Sequence, residues 1–254
     1  MLTFAGMVMT ELNTTQWIMM ALAAAIVGLA KSGLPGLGIL AIPIVAAVIP
    51  AKLSTGFILP MLIAGDIMGV AYYRRYAAWR HLIRIFPWTV AGVCVGWLSL
   101  GRMNDAQIKP LIGGIVLIML ALNVVRQRYT DLDSRIPRSL GFAAVIGLLA
   151  GFTTMVANAA GPIMTIYLLA MSLPPTAFLG TSAWFFLLVN LFKVPFSAQL
   201  GLITLASLKI NAMLFPCIAL GAWGGVRFAR LIPRRVFETL VQIIAAIGAI
   251  KLFF

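Results

Sequence analysis

Negative charge is scarce in this chain. Six Asp and Glu stand against nineteen Lys and Arg, a formal charge of +13, and charged residues make up only 10% of the sequence. There is one histidine, His81, and it lies in the basic stretch YRRYAAWRHLIR (73–84), where a solvated interfacial imidazole is expected. No Ser-His-Asp set, carboxylate pair or Cys/His cluster can be assembled on a common site, which argues against an enzyme. The two cysteines, Cys94 and Cys217, fall in apolar runs with no partner at metal-ligand spacing. They read as small buried hydrophobes, and neither a metal site nor a disulfide is expected. GLPGLG (33–38) has the outline of a dinucleotide turn, but no strand precedes it and no βαβ unit follows. No cofactor is expected, and this chain does not itself hydrolyse ATP.

What is abundant is apolar. The 254 residues are 62% hydrophobic with a mean hydropathy of +1.06, whereas soluble domains are roughly 45–50% apolar and about 25% charged. Only a chain surrounded by lipid satisfies such a composition. The positive excess then has a plain cause in the basic residues that cytoplasmic loops of membrane proteins retain, and no nucleic-acid partner is expected. The N-terminus, MLTFAGMVMTELNTTQW, carries Glu11 and no Lys or Arg. It lacks the basic region of a cleaved signal peptide, so the first apolar segment is expected to be kept.

A hydrocarbon core of about 30 Å needs roughly 20 apolar residues per helix. Reading apolar runs between Gly, Pro and charge gives ten segments, at 17–31, 38–50, 53–73, 82–100, 108–125, 139–154, 161–173, 176–197, 207–230 and 235–253. Those at 17–31, 38–50, 139–154 and 161–173 are too short to span comfortably as straight helices. With the N-terminus outside, the loops at 74–84, 126–138 and 227–235 are cytoplasmic and hold every arginine but Arg102. The opposite orientation would violate the positive-inside rule. The C-terminus then also lies outside, in a multi-pass protein of the inner (cytoplasmic) membrane.

The chain also repeats itself. VGLAKSGLPGLGILAIP (27–43) lies over IGLLAGFTTMVANAAGP (146–162), with Gly28 on Gly147 and Pro43 on Pro162. Further on, Gly56 falls on Gly180 and Asp66 on Asn190, and FPWTVAGVCVG (86–96) falls on FPCIALGAWGG (215–225). Five segments per half is an odd number, so the second half must be inverted. The expected fold is an all-α polytopic membrane protein with about ten spanning or partly spanning helices in two inverted repeats, broken or re-entrant at the first pair of each. Its parts are an N-terminal segment (1–16), a first repeat (17–130) and a second, inverted repeat (131–254). Gly92-x-x-x-Gly96 and Gly221-x-x-x-Gly225 occupy the same place in the two repeats and are expected to let helices pack closely.

Inverted repeats with an interrupted segment at the same place in each are the signature of a secondary-transporter site. A break in a membrane helix is tolerated only where it lines a cavity or is buried in protein, and the half-helix N-termini it creates favour an anion. In the first repeat the break is KSGLPGLG (31–38): Gly33, Gly36 and Gly38 relax the backbone, Pro35 stops the helix, and Lys31 and Ser32 add a charge and a hydroxyl. The alternative for Lys31 is a loop charge that snorkels to the surface. In the second repeat the break is TTMVANAAGP (153–162), with Thr153, Thr154, Asn158 and a Gly161-Pro162 helix restart. Two ionisable residues lie deeper. Asp66 is either a proton carrier or the partner of an arginine in the 74–84 loop. Lys193 follows Asn190 by one helical turn, so the two share a face; Lys193 is an anion ligand or snorkels outward.

GLAKSGLPGLGILAIP, IPAKLSTGFILPMLIAGDI and YYRRYAAWRHL resemble the first half of the TauE/SafE sulfite-exporter family, also called the toluene-sulfonate uptake permease family. TMVANAAGPIMTIYLL, FLGTSAWFFLLVNLFKVPF and LGAWGG resemble its second half. The similarity runs from about residue 20 to the C-terminus. It implies a membrane transporter for sulfur-containing anions such as sulfite, thiosulfate or organosulfonates, with substrate and direction varying among members. No family residue set is transferred; the site rests on the physical argument above. One departure is that the second break has Asn and Ala where the first has Gly, which makes the two half-sites unequal.

The combined expectation is alternating-access transport of a small sulfur-containing anion held at the two helix breaks. Lys31, Ser32, Gly33, Gly36, Gly38, Thr154, Asn158, Gly161, Asn190 and Lys193 form the anion site and Asp66 is the proton-coupling residue, with a proton or sodium gradient as energy source. The partners are the anion and the lipid bilayer, and a homo-oligomer is compatible with these features. The alternatives are transport of a carboxylate or other non-sulfur anion, and an accessory membrane protein without a substrate.

Overall fold

The computed structural model describes residues 12–32, 37–128, 139–228, 242–243 and 245–253. Among these, every regular element is helical: α1 (Thr14–Ser32), a 3-10 turn (Leu37–Leu40) running into α2 (Ala41–Ala46), α3 (Ala51–Tyr73), α4 (Trp79–Arg102), α5 (Asp105–Arg128), α6 (Leu140–Ala157), α7 (Gly161–Ala170), α8 (Pro175–Gln199) and α9 (Leu205–Phe228). A last helical stretch, α10, covers 245–250. The starts carry local signatures. Asn13 and Gln16 exchange side-chain-to-backbone hydrogen bonds at α1, and Asn104 and Gln107 do the same at α5. Ser139 caps α6 by accepting from the Phe142 N–H.

Seven of these helices are long and apolar enough to cross a membrane. Large hydrophobic side chains such as Ile67, Ile83, Val145 and Leu220 stand on the outside, more than half exposed, as lipid-facing surfaces require. Nine of the expected segments correspond to these elements; the tenth, 235–253, lies in large part outside the described residues, and one expectation is corrected. Segments 17–31 and 139–154 are not short: α1 has 19 residues and α6 has 18. Ser32 and Thr153, assigned to the breaks, are helical, and their hydroxyls are satisfied by the preceding turn. Ser32 donates to the Gly28 carbonyl at 3.0 Å and Thr153 to the Leu149 carbonyl at 2.7 Å. The short apolar helices of 10–17 residues among the described residues are Leu37–Ala46 and Gly161–Ala170. Ten residues at about 1.5 Å each cover roughly half the hydrocarbon core.

The longest interfaces join α1 to α9 and α4 to α6, and both are glycine seams. A Cβ on Gly28 would strike the Ile218 carbonyl, and one on Gly221 the Ala25 carbonyl. In the other pair, Gly92 lies against the Leu148 carbonyl and Gly151 against the Thr89 carbonyl. Gly96 and Gly225 close the same seams against Met155 and Leu29. The small-x-x-x-small positions therefore serve backbone-to-backbone packing. A similar exchange links α3 and α8. Gly56, near the start of α3, abuts Leu202 beyond the end of α8; Gly180, near the start of α8, abuts Tyr73, Tyr76 and Ala77 at the end of α3. Met20, Val27, Phe57, Met61, Ile210 and Leu214 form one apolar core between α1, α3 and α9, and a larger core surrounds α4 to α8.

Candidate functional site

Residues flanking the two expected breaks line one cavity. The first falls after α1: Gly33, Pro35 and Gly36 lie outside the described residues, and the chain is next seen at Leu37. The second falls between α6 and α7, where Asn158 ends α6 in the left-handed conformation (φ 53°), with its N–H donating to the Thr154 carbonyl at 3.1 Å. Helix continues through Thr153 and Thr154, so the interruption is shorter than the sequence suggests and begins at Asn158. A proline at the second position opens α7, and no side chain caps its first turn. Pro162 supplies no N–H, which leaves Gly161 and Ile163 to carry the N–H groups of the first turn without a capping side chain from Ala160.

The cavity measures about 100 Å³, room for roughly three waters at about 30 Å³ each. Of the expected site residues, Lys31, Gly38, Asp66, Thr154, Asn158, Gly161 and Asn190 line it. Apolar walls come from Ile39, Ile42, Ile58, Leu62 and Phe186. Gly69, Tyr73, Leu179 and Ser182 carry the lining towards the ends of α3 and α8 that meet the 74–84 loop.

Two expected residues stand apart. Ser32 turns towards α9, where a Cβ on Gly225 would meet its Oγ. Lys193 is 1% exposed and sits behind the wall. Its ammonium donates to Asn158 Oδ1 at 2.6 Å, Thr154 Oγ1 at 3.2 Å and Asn190 Oδ1 at 3.3 Å. An ammonium has three N–H donors, and each finds an oxygen, so a buried cation is held without a carboxylate of its own.

On the cavity side, Lys31 in the last turn of α1 forms an ion pair with Asp66 Oδ1 at 2.7 Å. The other carboxylate oxygen accepts from Asn190 Nδ2, also at 2.7 Å. Asp66 is therefore neither unpaired nor joined to a loop arginine. The Lys31 ammonium also lies 4.1 Å above the Phe186 ring, a cation–π contact. Asn190 binds Lys193 through its oxygen and Asp66 through its nitrogen, so one amide joins the two charged groups. Asn158 extends the chain by donating to the Thr55 carbonyl of α3 at 2.9 Å. With both lysines protonated, two cations face one carboxylate, a net charge of +1.

Sequence inspection missed Phe186 and the Thr55 carbonyl. Phe186 was within reach, since 186, 190 and 193 share one helical face. The Thr55 carbonyl gives no side-chain signal at all.

Asn158 offers a direct check. Asn158→Ala and Asn158→Gly both remove the amide, but only glycine adopts φ > 0 freely. The glycine variant should be the more stable by about 1 kcal/mol, within the roughly 1–2 kcal/mol cost of a left-handed L-residue, measured by thermal unfolding in detergent.

The family model for the sulfite exporter TauE/SafE matches residues 20–252. Neither a curated protein nor a solved structure matches the chain. The chain belongs to the sulfite exporter TauE/SafE family.

Proposed function

Starting from this membership of a membrane transport family, we propose that the chain is a secondary transporter of a small sulfur-containing anion (sulfite, thiosulfate or an organosulfonate), with the anion held in the cavity between the two helix breaks. The observation that carries this reading is the charge balance. With both lysines protonated, an interior cavity lined by the Lys31–Asp66 pair, with a second lysine one amide layer behind it, holds one positive charge more than its single carboxylate offsets. An incoming anion supplies the missing charge. It reaches Lys31, the only lining cation among the described residues, and meets the uncapped N-terminus of α7 at Gly161. The Lys193 ammonium acts through the amides and hydroxyl it fixes, and Asp66, losing part of its hold on Lys31, takes up the coupled proton.

Alternating access across two inverted repeats fits the packing exchange of α1–α9 with α4–α6 and of α3 with α8. Repeat-equivalent Asp66 and Asn190 touch each other, as residues near a pseudo-two-fold axis would. With the arginine-rich loops cytoplasmic and both termini outside, the cavity lining runs towards the cytoplasm, an inward-facing arrangement in the inner membrane.

The test is flux into proteoliposomes with a panel of sulfite, thiosulfate, sulfoacetate, taurine, sulfate and acetate. Transport or thermal stabilisation by at least one of the sulfur anions is expected; silence from all of them overturns the substrate assignment, and acetate alone would favour a carboxylate carrier. In the same assay, Asp66→Asn should transport at a rate that no longer follows an imposed pH gradient. A retained pH response would remove Asp66 from the coupling role.

A further inference from the structure

Beyond the cavity, α3 has a weak point. Pro60 lies inside this helix and has no N–H to offer the Gly56 carbonyl, while its ring presses on that turn. The preceding turns are already loosened, since Ser54 and Thr55 return their hydroxyls to the Ala51 and Lys52 carbonyls at 2.7 and 2.8 Å. The carbonyls on either side of Gly56 are then taken by side-chain amides from elsewhere in the chain. Asn158 donates to the Thr55 carbonyl at 2.9 Å, and Asn211 of α9 donates to the Phe57 carbonyl at 3.1 Å. Carbonyls two residues apart on a helix point to nearly opposite sides, about 200° apart. The two amides therefore grip α3 from two faces.

Asn211 is held there by its donor alone. Its Nδ2 also reaches the Ser207 carbonyl at 2.8 Å, but its Oδ1 is buried with no partner among the described residues. A leucine would fill this largely apolar site without stranding an acceptor. The cost is explained if the amide has work to do on the backbone of α3.

We propose that α3 is a hinged helix, bending at Gly56–Pro60, and that Asn158 and Asn211 are its two latches; Asn211, outside the cavity lining, is thereby a positioning residue for the anion site. The hinge divides the polar network. Thr55, Asn158 and Lys193 lie on one side of it and Asp66 with Lys31 on the other, bridged by Asn190. Bending at Pro60 moves Asp66 relative to the Lys193 layer. An anion that draws on Asn158 loosens one latch and leaves Asn211 to set the angle. The link to transport rests on the function proposed above; the hinge itself does not.

The test is backbone hydrogen exchange on the full chain in lipid nanodiscs, with no anion present. Asn211→Leu should speed exchange about tenfold in 57–63, with α4 and α5 unchanged. Pro60→Ala should slow exchange in the same segment and, combined with Asn211→Leu, restore it. If the double variant exchanges like Asn211→Leu, or if α3, α4 and α5 all speed up together, Asn211 is ordinary packing and the proposal fails. Should Asn211→Leu not fold, Pro60→Ala decides alone, and unchanged exchange at 57–63 overturns the hinge. A second arm measures thiosulfate: Pro60→Ala should bind it with unchanged affinity and transport it about tenfold more slowly. If the wild type neither binds nor carries any anion of the panel, the proposed function fails while the exchange arm still judges the hinge.

Discussion

Lys31→Met should destabilise the protein by about 3–5 kcal/mol, the usual cost of leaving one member of a buried ion pair without its partner. Asp66 makes the cost high. Its side chain is fully buried, Lys31 holds Oδ1 at 2.7 Å, and after the substitution only the Asn190 amide still faces the carboxylate. The Lys31 side chain is itself only 16% exposed, so solvent screens little of the loss. Adding Asp66→Asn should return most of the stability, because the stranded charge disappears with the cation that matched it. The two single variants and the double variant, unfolded in detergent, form a cycle that separates charge from shape. If Lys31→Met unfolds like the parent, or if the double variant is no more stable than the single, the pair does not carry this weight. The double variant should fold and not transport, which distinguishes the ion pair as structure from the ion pair as site.

The second large effect is steric. Replacing Gly28, Gly92, Gly151 or Gly221 by Ala should cost roughly 3 kcal/mol, the upper end of the usual range for overpacking. A Cβ at each of these positions meets backbone atoms of the partner helix, not the far end of a movable side chain. The whole helix would have to shift. Gly161, where a Cβ meets nothing within 4 Å, is the control, and Gly161→Ala should unfold within about 1 kcal/mol of the parent. Equal stabilities across the set would mean that the α1–α9 and α4–α6 seams are looser than they look.

The apolar segments up to 207–230 were legible because lipid imposes length and composition on each helix separately, and both are local properties. The internal match at Gly28 and Gly147 was legible for the same reason, as a pattern along the chain. The ends of the breaks were not. Ser32 and Thr153 look like helix breakers in a list of residues, yet each lies within its helix with its hydroxyl bonded to the carbonyl four residues earlier, and Thr154 is helical too. The residue types of the site were also legible, since Lys31, Asp66, Asn158, Asn190 and Lys193 are conspicuous in an apolar chain. Their pairing was not. Lys31 with Asp66, and Asn158 with the Thr55 carbonyl, depend on how the halves meet, and no local spacing encodes that. Lys193 illustrates the limit: its type announced a buried cation, but only the fold puts two amides and a hydroxyl between it and the cavity.

The meeting of Asp66 with Asn190 constrains how such a molecule can be assembled. Two identical half-length chains related by a true two-fold axis would bring either two acids or two amides together at this spot. Two carboxyl groups at hydrogen-bond distance would have to share a proton, and two amides would leave Lys31 without a counter-ion. On the repeat reading, a single carboxylate facing a single amide requires two halves that have diverged. The centre of the polar network then holds one titratable acid, Asp66, instead of a pair.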